Sequence, residues 1–235
     1  MSRHHVPPHP GTGTGTGTAL DKAPSGESRW PMALAVALAM VLTMLLPDTL
    51  RLAPRWVLPS VEGLLLLTLI AGDPGRIDRR AAWLRAVSLA LVCVLSVGAV
   101  WSTLQLVKDI VTNGKETASA TSLLQVGSAV WAGTVLAFSL LFFELDGGGP
   151  AARLHRTPAY PALAFPQQIE PRLAPAGWQP RYVDYLYLGL TNATAFSPTD
   201  VMPLRPWAKM TMAVQSLVSL VILGLVVARA VNVLT

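Results

Sequence analysis

Long apolar runs alternate with short polar connections along most of the chain. Five runs with few or no charged residues cover positions 30–46, 56–71, 86–107, 117–143 and 210–228. About 20 apolar helical residues cross the roughly 30 Å of hydrocarbon in a bilayer. The pattern therefore predicts an all-α integral membrane fold with about five transmembrane helices. The second run is the weakest, because Pro59 and Glu62 interrupt it, and it fits an interfacial or re-entrant helix as well as a span.

The segments between these runs divide the chain into four parts. Residues 1–28 contain histidines and prolines followed by alternating Gly and Thr, a composition typical of a disordered tail. Residues 29–145 hold four of the predicted helices. Residues 146–181 combine a glycine run with many prolines, which predicts a polar loop on one membrane face and excludes a long helix. Residues 182–235 hold a short apolar stretch, a polar turn and the last predicted helix.

Composition supports the membrane class and excludes several others. Apolar residues of the AVILMFWYC set make up 52% of the chain and charged residues 13%, whereas about 25% is usual for a soluble domain. The net charge is +5, but the basic residues lie between apolar runs and form no stripe of the kind that binds nucleic acid. A single cysteine, Cys93, excludes a disulfide scaffold. No catalytic, nucleotide-binding or metal-ligand spacing is present, so we expect no enzyme, no cofactor and no metal site.

The basic residues also predict an orientation in the plasma membrane. With five spans, thirteen of the eighteen Lys and Arg residues fall on the side of the N-terminus, the connection 72–85 and the polar loop 146–181. Cytoplasmic loops carry an excess of Lys and Arg. The count therefore places the N-terminus in the cytoplasm and the C-terminus outside.

The stretch before the last helix has a pattern of its own. Residues 182–193 are mainly apolar or aromatic, and residues 194–204 are rich in hydroxyls and prolines. About a dozen residues are too few to cross a bilayer, but they fit a helix that enters halfway. Non-helical backbone is tolerated at that depth only where protein or a water-filled cavity surrounds it. A half-helix, a polar turn and a full helix are the arrangement by which pore-loop channels hold an ion site.

Residues 184–209 resemble the pore module of tetrameric potassium channels. In that family an Asp, an aromatic-rich pore helix, a Thr-rich turn, the filter Thr-Val-Gly-Tyr-Gly, an Asp and a Pro precede the inner helix. Here Asp184 opens the helix, Thr194 precedes the filter positions, and Asp200 and Pro203 follow them. The resemblance implies a homo-oligomer, a tetramer if it forms a channel. It also makes the fourth helix the outer helix and the fifth the inner helix, with Gly224 as a candidate hinge. The inner helix of a potassium channel ends in the cytoplasm, whereas the basic residues here place the C-terminus outside. Either the module is inverted, or one segment does not span, or the resemblance is only local.

The filter positions depart from the potassium pattern. They are occupied by Ala195, Phe196, Ser197, Pro198 and Thr199, with no glycine between Thr191 and Asp200. The glycines of the family permit a ring of inward-facing carbonyls, whereas proline fixes φ and restricts the residue before it. We therefore predict a hydroxyl-lined, weakly selective path for an inorganic cation. The candidate pore residues are Thr191, Asn192, Thr194 and Asp200 together with the filter positions, and Phe196 fits a hydrophobic constriction equally well.

Two further inferences keep other functions open. After the tail, the whole chain is similar to a group of uncharacterised multi-pass membrane proteins common in actinobacteria, which share the Phe165-Pro166 pair and the segment 184–200; no activity follows from that likeness. Glu62 is an ionisable residue within an apolar run, and intramembrane carboxylates often serve function. The alternatives to a channel are therefore a non-conducting membrane scaffold or partner subunit, and a small proton-coupled transporter that uses Glu62.

Overall fold

The computed structural model describes residues 26–155, 161–194 and 200–234, and this part of the chain is helical with one short strand pair. The helices are α1 (Trp30–Leu45), α2 (Val57–Gly72), α3 (Ala82–Val111), α4 (Ala120–Leu145), α5 (Pro150–His155), α6 (Pro166–Ile169), α7 (Tyr182–Thr194) and α8 (Pro206–Leu234). The strands β1 (Leu163–Ala164) and β2 (Met202–Pro203) pair antiparallel. Helical turns of the 3-10 type lie at Asp48–Leu50, Lys115–Thr117, Asp146–Gly148 and Pro171–Leu173. The predicted helical class is confirmed.

Local sequence signals account for the two ends of α4. At its start, the hydroxyl of Ser119 accepts a hydrogen bond from the N–H of Ser122 at 3.1 Å, which satisfies one of the free donors of the first turn. At its end, Gly147, Gly148 and Gly149 have φ values of +59°, +82° and +95°. Residues with a Cβ rarely adopt this left-handed region. The glycine run therefore stops α4 and turns the chain sharply into α5.

Helix α4 is the centre of the bundle. It packs against α1, α3, α7 and α8, and its residues Leu140, Phe142 and Phe143 are almost completely buried. One apolar cluster joins these side chains to α1, α3 and α7, and a second joins the other half of α4 to α3 and α8. Because α4 contacts nearly every long helix, its sequence has the largest share of buried positions.

Four helix ends meet at one end of the bundle, which we call the basic end. Arg29, just before α1, donates to the Asp73 carboxylate after α2 at 3.2 Å. Arg85, in the first turn of α3, forms an ion pair with Glu144 in the last turn of α4. Both carboxylates are buried. The start of α1, the end of α2, the start of α3 and the end of α4 therefore lie together.

The opposite end is closed by two other contacts. The hydroxyl of Thr49 donates to Glu116 at 3.1 Å, between the α1–α2 and α3–α4 connections. Near the end of α8, the guanidinium of Arg229 donates to the side-chain oxygen of Asn113 at 2.6 Å. Helices α1, α3 and α8 consequently run away from the basic end, and α2 and α4 run back to it.

Length and hydropathy single out three helices. In the described part of the chain, three helices are long and apolar enough to cross a membrane: α3, α8 and the helical stretch that starts with α4 at Ala120. Helices α1 and α2 are shorter apolar helices of 16 residues. Large apolar side chains on the outer faces are exposed, among them Leu34, Leu64, Leu104 and Leu217, each more than 60% accessible. An exposed apolar surface of this extent is consistent with a membrane protein.

The polar loop is ordered where the structure describes it. Residues 161–181 form β1, α6 and a 3-10 turn rather than a long helix, as the prolines predict. Arg153 in α5 is buried and donates to the carbonyl oxygens of Phe143 and Asp146, both at 2.7 Å. Its guanidinium also lies 5.0 Å from the ring centre of Phe143 and 4.9 Å from that of Tyr185. These contacts hold the loop against the basic end.

Candidate functional site

The candidate site is the C-terminal segment that contains α7 and α8. Helix α7 has 13 residues, and Tyr182, Tyr185 and Leu188 on its inner face are at most 1% accessible. The ring of Phe143 in α4 meets Tyr182 and Tyr185 edge-on, with centres 5.5 and 5.6 Å apart. Edge-to-face aromatic pairs stabilise the packing beyond what the burial of their apolar area contributes. Aromatic packing therefore fixes α7 against the last turns of α4.

A glycine allows α7 to approach α4 closely. A Cβ atom at Gly189 would lie 3.1 Å from the Cβ of Ser139 and 3.3 Å from the carbonyl oxygen of Val135. Close helix contact through small residues is a common packing mode in membranes. The pair Gly189 and Ser139 therefore brings the middle of α7 into direct backbone contact with α4.

The start of α7 is bound to the basic end by polar contacts. The N–H of Tyr182 donates to the Glu27 carboxylate at 2.7 Å, which caps the helix. The hydroxyl of Tyr182 bonds to that of Ser139 at 3.0 Å, and the hydroxyl of Tyr185 donates to Asp146 at 2.7 Å. Burial raises the pKa of the Glu27 carboxyl above its ordinary value of 4.5, although the N–H of Tyr182 acts in the opposite direction.

The end of α7 is bound to α8 by a buried amide network. The side-chain NH₂ of Asn192 donates to the carbonyl oxygen of Met212 at 2.9 Å and to the side-chain oxygen of Gln215 at 2.7 Å. Gln215 in turn donates to the carbonyl oxygen of Gly189 at 2.7 Å. The hydroxyl of Ser216 donates to the side-chain oxygen of Asn192 at 3.0 Å. The C-terminal end of α7 therefore lies two to three turns along α8.

The chain returns to the basic end before α8 starts. Strand β2, directly before α8, pairs with β1 of the polar loop. The N–H groups of Ala162 and Leu163 both donate to the Asp146 carboxylate at 3.3 Å, the same carboxylate that binds Tyr185. Residues 182 and 202 thus lie at the same end of the bundle, and Asn192 lies deeper inside it.

The predicted pore residues fall into three groups. Thr191, Asn192 and Thr194 are in the last turns of α7 rather than in a turn, and the two threonine hydroxyls donate to carbonyl oxygens of α7 itself. Ala195, Phe196, Ser197, Pro198 and Thr199 lie outside the described residues. Asp200 is exposed. In α8 the candidate hinge Gly224 is exposed, and no described atom lies within 4 Å of a Cβ built on it.

Glu62 is buried in α2. The residue is 2% accessible, and its Oε2 atom has no hydrogen-bond partner among the described residues. The following residue, Gly63, faces Met40 of α1. Glu62 is therefore a buried carboxyl of α2, a helix that is separate from the α7–α8 segment.

Sequence reasoning missed Gln215, Ser216 and the part played by Asp146. Gln215 is a polar residue in an otherwise apolar run, a signal that marks a buried hydrogen-bonding position. The Asp146 carboxylate accepts hydrogen bonds from Tyr185 and from the backbone at β1, whereas Arg153 donates to the Asp146 carbonyl oxygen. Within the described ranges, no group of three or more His, Cys, Asp or Glu side chains is arranged to hold a metal ion.

The fold and the site define a helical protein with three helices suited to a membrane and a short buried helix bound to the last of them. Comparisons with family models, with curated proteins and with solved structures find no match to this chain.

Proposed function

We propose that the chain is a multi-pass protein of the plasma membrane whose segment 182–234 is a pore-loop module for an inorganic cation. The observation that carries the proposal is the return of this segment to the basic end after a half-length helix. Helix α7 is about 20 Å long, short of the roughly 30 Å needed to cross the hydrocarbon. Its end contacts Met212 and Ser216, which lie about 9–15 Å along α8 from Pro206. In a bilayer this position is near the midplane.

The proposed topology has five crossing helices, α1, α2, α3, α4 and α8, with α7 re-entering from the basic end. Contacts at the two ends of the bundle support this alternation. The connections at the basic end carry most of the Lys and Arg residues. By the positive-inside rule, the basic end and the N-terminus are cytoplasmic and α8 ends outside. This is the inverted orientation relative to a potassium channel.

The pore would be shared between subunits, because the polar sequence between α7 and β2 needs shelter by protein or water at that depth of the membrane. Helix α8 offers a face for such assembly, opposite the face that it buries against α4. Along this face, exposed residues recur every three or four positions: Met210, Val214, Leu217, Val221, Gly224 and Ala228. Small residues four positions apart, here Gly224 and Ala228, favour close helix association in membranes. We propose a homo-oligomer, a tetramer, around this face.

The Asn192 network favours a second candidate, a non-conducting membrane scaffold or partner subunit. Both hydrogens of the Asn192 amide and its side-chain oxygen are used within one chain. A helix end whose polar groups are satisfied in this way has less need of a neighbouring subunit. Crosslinking in native membranes separates the two candidates: a ladder up to four copies supports the channel, and a single chain supports the scaffold.

Flux through purified protein in liposomes tests conduction. Vesicles are loaded with K⁺, Na⁺ or Ca²⁺, and release is measured for the natural chain, Asp200→Asn and Phe196→Ala. Glu170→Gln is the matched control, because it removes an exposed carboxylate of the polar loop. The channel proposal expects monovalent flux that Asp200→Asn lowers, Phe196→Ala raises and Glu170→Gln leaves unchanged. Absence of flux, or equal flux in all four proteins, contradicts it.

The transporter alternative rests on the buried carboxyl of Glu62, whose Oε2 atom has no hydrogen-bond partner among the described residues. A proton carrier needs a buried group that loses and regains a proton during each cycle. Solute uptake that depends on a pH gradient and is lost in Glu62→Gln, with Asp200→Asn still active, would replace the channel proposal. Flux that is independent of the gradient and unchanged in Glu62→Gln removes the transporter.

A further inference from the structure

The basic end contains a cavity of about 920 Å³ that the α7–α8 segment does not touch. It lies between the α2–α3 connection, the first turns of α3 and the glycine turn after α4. Its charged lining consists of Arg29, Asp73, Arg79, Arg80, Arg85 and Glu144. Apolar side chains of α2 and α3, including Leu69 and Leu84, line it as well. The volume is in the range of small-molecule sites, about 300–1,000 Å³.

The two carboxylates of the cavity are already neutralised. Asp73 accepts from Arg29, and it also accepts from the backbone N–H groups of residues 78 and 79 at 3.0 and 3.1 Å. Glu144 is paired with Arg85. Each carboxylate therefore has one guanidinium of its own, and the two pairs add no net charge to the cavity.

The other two arginines leave the cavity positive. The Arg79 side chain donates to the carbonyl oxygen of Gly72 at 2.8 Å, and Arg80 has no polar partner among the described residues. Both are exposed. The nearby carboxylate of Asp78 accepts from the N–H of Gly26 at 2.6 Å. Two guanidinium groups without a carboxylate partner thus face a space that has apolar walls on another side.

We propose that this cavity binds the phosphate group of an anionic amphiphile. Guanidinium groups bind phosphate oxygens through paired, charge-assisted hydrogen bonds. Basic pockets between membrane helices on the cytoplasmic side are suited to anionic headgroups, and Leu69 and Leu84 provide an apolar wall for the adjoining carbons. The exposed ring of Trp83, which lies against Gly72, is typical of the headgroup level. The proposal does not require that the protein conducts ions.

The test uses the delipidated full-length protein in a neutral detergent. Three probes are added separately: phosphatidylglycerol, phosphatidylcholine with the same acyl chains, and glycerol 3-phosphate. Bound copies are counted by native mass spectrometry, and the thermal unfolding midpoint is measured in parallel, because a ligand that binds only the folded state raises it. Phosphatidylglycerol is expected to raise the midpoint by roughly 5 °C at saturation, and phosphatidylcholine is expected to leave it unchanged.

The double substitution Arg79→Gln/Arg80→Gln is the decisive variant. It should weaken phosphatidylglycerol binding by about tenfold to hundredfold without lowering the lipid-free midpoint. The control Arg172→Gln/Arg205→Gln removes two exposed charges of the basic end outside the cavity and should keep full binding. If glycerol 3-phosphate raises the midpoint as much as phosphatidylglycerol does, and the double substitution Arg79→Gln/Arg80→Gln abolishes this effect, the cavity binds phosphate but its ligand is a soluble phosphate ester and not a lipid. Equal binding of both phospholipids, or equal loss in both double variants, overturns the proposal.

Discussion

Substitution of Asn192 by Ala should release the end of α7 from α8. The change removes three hydrogen bonds that join Asn192 to Met212, Gln215 and Ser216. It also leaves the side-chain oxygen of Gln215 without its donor, in a residue that is 0% accessible. The loss is therefore larger than that of a surface contact.

The magnitude follows from two bounds. Hydrogen bonds between membrane helices average about 0.6 kcal/mol each, so three of them give about 2 kcal/mol. On the scale of soluble proteins, about 1 kcal/mol for each bond plus at least about 1 kcal/mol for the orphaned oxygen gives about 4 kcal/mol. We expect Asn192→Ala to lower the free energy of unfolding by about 2–4 kcal/mol.

Reversible unfolding in mixed detergent micelles, followed by circular dichroism, measures this loss. Thr191→Ala is the matched control, because the Thr191 hydroxyl bonds only within α7, and it should cost less than about 0.5 kcal/mol. Adding Gln215→Ala to Asn192→Ala removes the orphaned group, so the double variant should lose less than the sum of the singles. A loss below 0.5 kcal/mol for Asn192→Ala, or strict additivity, would refute the network as the link between α7 and α8.

Three other substitutions probe the site and the basic end. Gly189→Leu should overpack the contact with Ser139 and cost about 1–3 kcal/mol of unfolding free energy in the same assay. Arg85→Ala should cost about 3–5 kcal/mol because it leaves Glu144 buried and unpaired, and Glu144→Gln in the same chain should restore part of the loss. Burial raises the folded-state pKa of Glu27, so the contribution of Glu27 to the free energy of unfolding is complete below about pH 4.5 and falls as the pH rises through the raised pKa. Glu27→Gln should remove this slope from a plot of unfolding midpoint against pH.

Each of these three has its own refuting result. A fully stable Gly189→Leu protein would mean that α7 does not lie against α4. No recovery on adding Glu144→Gln would mean that Arg85 acts through some contact other than this pair. An unchanged pH slope in Glu27→Gln, with the exposed Glu170→Gln as reference, would assign the slope to a different carboxyl.

The positions of the helices could be predicted because hydrophobicity along the chain sets them. The run 30–46 corresponds to α1 and the run 56–71 to α2, each to within one or two residues. Helix α3 begins four residues before the uncharged run, at Ala82, because Arg85 in its first turn has a partner in Glu144. A charge ends a hydropathy window, but it does not end a helix when an opposite charge is nearby.

The site could be predicted only in outline. The short length of α7 follows from its composition, but its contacts depend on residues distant in the chain. Glu27 binds a backbone group 155 positions away, and Asp146 joins Tyr185 to β1. Such pairs have no local signature. The contacts of Asn192 with α8 depend on Gln215 and Ser216, and a one-dimensional pattern does not bring these residues together.

The β1–β2 ladder bears on how the molecule can be labelled. Leu163 is paired with Pro203 and Ala164 with Met202, so an insertion within either strand would break this register, and a tag belongs outside both strands. Gly177 has φ of +76°, and no described atom lies within 4 Å of a Cβ built on it, so this position is an open site for an inserted epitope. Antibody access to that epitope in sealed cells would report which compartment the polar loop faces while leaving the helices untouched.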